Sequence, residues 1–145
     1  VAAPQLLEDR DFMLRVVQQD GRNLWAASGA LRRDLELLRA AVVNRGDALA
    51  FVPQNLEEYR ELAFVAVRQD GEALSCASEE MQTDRELVLG ALRQNGLVLE
   101  HVAKGFRADR DVVLEAVRGH GMALKSASES LRADRELVLE AVRAN

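Results

Sequence analysis

The sequence predicts an all-α fold, an α-solenoid of short helix-turn-helix repeats with a 25-residue period, and three observations carry that prediction. Glycines fall at Gly21, Gly46, Gly71, Gly96 and Gly121, and leucines at Leu24, Leu49, Leu74, Leu99 and Leu124, with no insertion anywhere between them. A third column holds Leu6, Leu31, Leu56, Met81, Phe106 and Leu131. Registration over the whole chain is the mark of a tandem array, in which each unit buries its apolar side against the next. The chain then divides into a lead-in, residues 1–5, and one domain, residues 6–145, made of repeats 6–30, 31–55, 56–80, 81–105, 106–130 and a partial 131–145.

Each repeat carries the punctuation of two helices. In the last, Asp134 is placed to accept from the free N–H groups of a first turn, and Glu136 lies where the helix dipole favours an acid. Leu137, Val138, Ala141 and Val142 then return at helical spacing. Asn95-Gly96 and Asp70-Gly71 read as left-handed C-terminal caps that end this helix. Beyond the glycine, Ala123, Leu124, Ala127 and Leu131 are spaced as one face of a second helix of about eight residues. Alanine recurs at Ala41, Ala66, Ala91, Ala116 and Ala141, where close approach of two helices demands a small side chain. Neither helix is long enough to be stable alone, so stacking must supply the stability.

Two repeats depart from the pattern. Tyr59 stands where the others have the capping Asp, and Leu35 replaces the Arg beside Asp34. Pro53 falls inside the expected second helix and should stop it near Val52. The junction of repeats two and three is therefore the expected bend or irregular contact.

Composition bounds the function. Apolar residues make up 48% and charged residues 30%, as in ordinary globular chains, while aromatics are only 4%. The net charge of −5 argues against a dedicated nucleic-acid binder. All but two of the 19 basic residues are arginine, which reads as codon bias. The longest apolar run, Leu62 to Val67, is far too short to span a bilayer, so no membrane insertion is expected. The single cysteine, Cys76, excludes an internal disulfide. The start Val1-Ala2-Ala3-Pro4 lacks a methionine and is read as processed, trimmed or partial.

The run Leu131 to Val142, with Gly121 to Ser128 before it, resembles a short helical repeat known as domain of unknown function 4116. The resemblance covers almost the whole chain as successive copies. It implies the helical-repeat fold, brings no assigned activity and no catalytic residues, and points towards algae, other protists and some bacteria.

Candidate sites are few. Asp11, Glu36, Glu61, Glu86, Asp111 and Glu136 form an acidic column beside Arg10, Arg60, Arg85, Arg110 and Arg135, which reads as surface ion pairs or as a charged docking strip. His101, His120 and Cys76 lack the spacing of converging metal ligands, so neither metal nor cofactor is expected. Ser126, Ser128 and Ser130 lie near His120 in sequence without the rest of a nucleophilic site, so no catalytic residue is assigned. Trp25 and Phe51 read either as an exposed interface patch or as side chains tucked under the segment Val1 to Leu7. Leu137, Val138, Leu139 and Val142 leave the last helix apolar, so further repeats or a partner should cover that end.

These readings converge on a non-catalytic scaffold or peripheral subunit acting through protein partners, an accessory subunit of an algal or protist organellar complex being one form. The alternatives are a recognition or targeting array of a larger enzyme or bacterial effector, and a nucleic-acid-binding helical repeat using the column Arg68, Arg93, Arg118 and Arg143.

Overall fold

The computed structural model describes residues 4–145, and these form an all-α repeat stack. The long α-helices are Arg10–Gln19, Leu35–Asn44, Tyr59–Gln69, Arg85–Gln94, Arg110–Gly119 and Arg135–Arg143, one in each of the six repeats. Each packs on the next to make one layer. Of the 3-10 helices, Gly21–Ala26 packs on Gly46–Phe51, which packs on Gly71–Cys76, and Gly96–Glu100 packs on Gly121–Ser126; these make a second layer that opens between repeats three and four, and the core lies between the two layers.

The second helix of the repeat is therefore 3-10, which corrects the expected α-helix over Ala123 to Leu131. It runs Gly121–Ser126, breaks at an extended Ala127, and is followed by a separate short helix Glu129–Arg132. Three residues per turn explain the burial. Gly21, Leu24 and Ala27 form a buried ridge, Arg22 and Trp25 an exposed one, and Asn23 and Ala26 an intermediate one. Six residues at about 2.0 Å rise reach about 12 Å, close to the 15 Å of a ten-residue α-helix, so the two layers match in width.

The glycines are not left-handed caps either, since no described residue has positive φ. Each opens the 3-10 helix after an extended residue such as Asp20, Asp70 or Asn95, whose side chain accepts from the second N–H of that helix. Glycine is required by close approach. A Cβ on Gly46 would lie 2.6 Å from the carbonyl oxygen of Ala66, and one on Gly71 2.7 Å from that of Ala91. The glycine column of each repeat thus interlocks with the alanine column of the next, and those alanines are buried. The glycine N–H crosses the same interface: Gly21 donates to Asn44 Oδ1 and Gly46 to Gln69 Oε1, both at 2.7 Å, and Gly96 to His120 Nδ1 at 3.1 Å.

Gly90 is different. It lies inside the long helix of repeat four, and an added Cβ would meet only Val67 Cγ1, at an ordinary 3.9 Å. Glycine in a helix interior costs about 1 kcal/mol relative to alanine. Gly90→Ala is expected to raise stability by about 0.5–1 kcal/mol in urea unfolding, and a loss of stability would show that this helix packs more tightly than described.

The junction of repeats two and three is irregular, as its sequence suggests. Elsewhere an arginine reaches forward to the capping Asp of the next repeat and, in three cases, to the acid two positions on: Arg10 to Asp34 and Glu36, Arg60 to Asp84 and Glu86, Arg85 to Asp109, and Arg110 to Asp134 and Glu136. At this junction Leu35 removes the arginine and Tyr59 removes the aspartate, so one missing contact accounts for both departures. Arg39 pairs with Glu61 instead, and Tyr59 is buried, its hydroxyl accepting from Ser78 N–H at 3.0 Å. The 3-10 helix stops at Phe51 ahead of Pro53, but the other repeats break at the same place without a proline.

The ladder makes acid sensitivity explicit. Asp34 is held below the ordinary carboxylate range by Arg10 and Leu37 N–H, and Asp109 by Arg85. Leu37's counterpart, Leu137 N–H, does the same for Asp134, with help from Arg110. For Asp84 burial pushes upward most strongly, but Leu87 N–H and Arg60 together outweigh it. Each folded value lies below the unfolded one. The stabilisation is therefore complete above the unfolded Asp value of about 3.9 and is lost as pH falls below it through the folded values. Urea midpoints should drop steadily below about pH 4, and Asp109→Asn should flatten that dependence. A midpoint unchanged down to pH 2.5 would contradict the assignment.

Candidate functional site

The outer ridge of the 3-10 layer is where the largest apolar side chains face outward. Trp25 is 61% exposed. Its helix turns it away from the core because Leu24 and Ala27 take the inward ridge, and its carbonyl accepts from Arg32. Phe51, Leu97 and Met122 are exposed on the same layer, one in each of three further repeats. Pro4–Leu7 packs against the first long helix, and Leu7 carbonyl accepts from Ser28 N–H at 3.2 Å, yet Trp25 stays open. Of the segment Val1 to Leu7 invoked as a cover, residues 1–3 lie outside the described residues.

The end face divides the remaining candidates. Leu137 does not belong to it. That side chain is fully buried, because it lies on the side of the last helix that faces repeat five, as Leu37, Leu62, Leu87 and Val112 do in their own repeats. Val138, Leu139 and Val142 are exposed. Leu139 shares a different column with Leu14, Phe64, Leu89 and Leu114, which are half-buried along the outer side of the long-helix layer, an apolar stripe interrupted in repeat two by Arg39. Arg60 stacks over Phe64 in that stripe, 4.7 Å from the ring centre.

The arginine column beside the stripe is partly neutralised. Arg93 pairs with Glu115 at 2.7 Å and Arg143 with Glu140 at 2.9 Å, while Arg68 and Arg118 make no ion pair among the described residues. A depression of about 260 Å³ between the 3-10 layers of repeats three and four is lined by Leu74, Val98, Val102, Glu72, Glu79 and His101. Shallow grooves elsewhere follow the long-helix stripe.

The residues considered for metal or nucleophilic chemistry are placed apart. His120 spends Nδ1 on Gly96 N–H, which makes it part of the repeat interface. Ser128 contacts Ser130 at 3.2 Å and donates its N–H to Arg107 carbonyl. Burial pushes the Cys76 thiol up, away from the thiolate that nucleophilic or metal-binding work requires. Among the described residues no group of three or more His, Cys, Asp or Glu side chains converges as metal ligands would, and no helix is long and apolar enough to cross a membrane.

Leu97 and Met122 were not among the residues expected at a site; they replace Arg22, Asp47 and Glu72 of the same column, and that replacement is the signal in the sequence that marks them.

Compared with known families, the chain matches the model described as Domain of unknown function (DUF4116) over residues 9–57, 59–107 and 109–145. Each full segment spans two of the 25-residue repeats. The comparisons with curated proteins and with solved structures find no match.

Proposed function

The chain belongs to the DUF4116 family of tandem helical repeats, and from that premise we propose that it is a non-catalytic scaffold that binds a protein partner along the outer ridge of its 3-10 layer. The observation that carries this reading is Trp25, the single tryptophan, 61% exposed on a ridge where the other repeats place Ala50, Ser75, Glu100 and Lys125. Tryptophan is enriched among the anchors that dominate protein interfaces. Phe51, Leu97 and Met122 extend apolar surface along the same layer, in a form an extended or helical partner can follow from repeat to repeat. A subunit of a larger assembly uses such a face, and a recognition array within a larger enzyme uses it in the same way.

Trp25 also supplies the test. Its emission in the purified chain should be that of a water-exposed indole and should shift to the blue when the partner co-purified from the native source is added back. Trp25→Ala should weaken that association by roughly thirtyfold, the scale of an interface anchor, while stability changes by no more than about 0.5 kcal/mol. Unchanged emission together with unchanged association would overturn the proposal.

A further inference from the structure

We infer that the groove on the outer side of the long helices of repeats three and four binds an acidic, extended segment of a protein partner, which lays an apolar side chain over Gly90 beside Phe64 and a carboxylate on Arg68. This face lies across the core from the 3-10 ridge, and the inference stands without the reading given for Trp25.

The first ground is a missing side chain. At the position of Gly90 the other repeats carry Arg15, Ala40, Val65, Glu115 and Glu140. Glycine weakens a helix interior relative to alanine. No close approach demands it here, since an added Cβ would meet only Val67 Cγ1 at 3.9 Å. What the missing side chain leaves is space, a groove of about 340 Å³ that has Phe64 and Arg68 on its walls and reaches the buried Val67. A residue that weakens its own helix without a packing reason, at the edge of an apolar groove, fits a position where binding rather than stability sets the choice.

The second ground is Phe64 itself. It is the one aromatic residue in a column of Leu14, Arg39, Leu89, Leu114 and Leu139, and it is half-buried. Arg60 fixes the ring by stacking on it. Phe64 and Arg68 also line a second groove, of about 520 Å³, that runs on to Arg39 of repeat two. Two grooves meeting at one ring make a track across three successive long helices.

Charge selects the occupant. Both acids on the track are neutralised, Glu61 by Arg39 and Glu86 by Arg60, and Arg93 is taken by Glu115. Arg68 is exposed and makes no ion pair among the described residues, so the track is cationic although the chain carries a net charge of −5. Arg118, two repeats on, is unpaired in the same way. With packed helices about 8–10 Å apart, the two arginines stand roughly 16–20 Å from one another. A polyproline II segment covers that distance in about six residues and, at three residues per turn, returns its carboxylates to one face. A phosphate backbone fits less well, because it needs successive free cations and the arginine between these two is already paired.

The test titrates the isotope-labelled whole chain with a synthetic peptide of four Pro-Leu-Glu triplets and follows the amide shifts. Shifts should centre on Phe64, Arg68 and Gly90 and saturate below millimolar peptide, with Trp25 emission unmoved. Arg68→Gln and Gly90→Val should each weaken binding by about fivefold, the scale of one exposed charged contact. Neither variant should lower the thermal midpoint, because Arg68 has no partner to lose and valine suits a helix better than glycine. Amides unmoved at millimolar peptide, shifts centred on the 3-10 ridge, variants that bind as the parent does, or equal binding of a peptide with Lys in place of Glu would each sink the inference. So would tighter binding of an oligouridylate at the same amides, since the occupant is then a nucleic acid.

Discussion

Replacing Gly96 by alanine is expected to destabilise the protein by about 3 kcal/mol, the upper part of the range for overpacking a filled interior. A Cβ there would fall well under 3.0 Å from the carbonyl oxygen of Ala116 and would also crowd the side chain of His120. The obstacle is backbone, which has no rotamer to change. Repeats four and five would have to separate, lengthening the bond from Gly96 N–H to His120 and uncovering part of the Leu92 and Leu99 contacts. The control is Gly90→Ala, the same chemical change in the same repeat with open space around it. Urea unfolding of the two variants should move in opposite directions. If Gly96→Ala were neutral, the close contact between the glycine and alanine columns would not exist.

Leu87→Ala should have an effect of similar size, about 3–4 kcal/mol. Leu87 is fully buried between the long helices of repeats three and four, and a buried leucine truncated to alanine loses its transfer energy and leaves a cavity. Leu137→Ala is the informative companion. Leu137 belongs to the same column and is equally buried, so its loss should release the helix Arg135–Arg143 from repeat five. That release is read as faster amide exchange confined to this helix. An anchor for an outside partner would show no such change in the free protein, so the two roles of Leu137 separate in one measurement.

How far the sequence carried the structure depends on the kind of information a period contains. Recurrence of Gly21, Gly46 and Gly71 and of Ala41, Ala66 and Ala91 was plain, and so was the stacking of equivalent units. What recurrence does not say is which recurring residue touches which. The glycine of one repeat meets the alanine of the next, a contact between two columns that each looked self-sufficient, the first as a turn and the second as a helix crossing. Treating the glycine as punctuation also hid the 3-10 helix. Gly121, Leu124 and Ala127 sit three apart on one inward ridge, with Leu124 half-buried, but with Gly121 set aside the remaining Ala123, Leu124 and Ala127 fit an α-helical face equally well. The departures at Leu35 and Tyr59 were visible as two anomalies, and only the forward reach of Arg10, Arg60 and Arg110 shows them to be a single missing contact.

The sequence narrowed the candidate residues without deciding their exposure. Trp25, in a column of Ala50, Ser75, Glu100 and Lys125, read either as exposed or as tucked under the lead-in, and the structure leaves it exposed. Leu137 was misplaced because an apolar helix at the edge of a stack still has an inner side, and a run of apolar residues does not reveal which members lie on it. Val138 and Val142 fall on the open side and Leu137 on the closed one, a division set by the direction in which the stack grows.

The central claim is that identical modules bury one another through one repeated contact, and a nuclear Overhauser experiment on the labelled chain tests it directly. Cross-peaks are expected between each of Gly21, Gly46, Gly71, Gly96 and Gly121 and the alanine twenty positions later, Ala41, Ala66, Ala91, Ala116 and Ala141. Cross-peaks linking these glycines only to residues of their own repeat, with the alanines twenty positions on in contact with something else, would contradict the stack described.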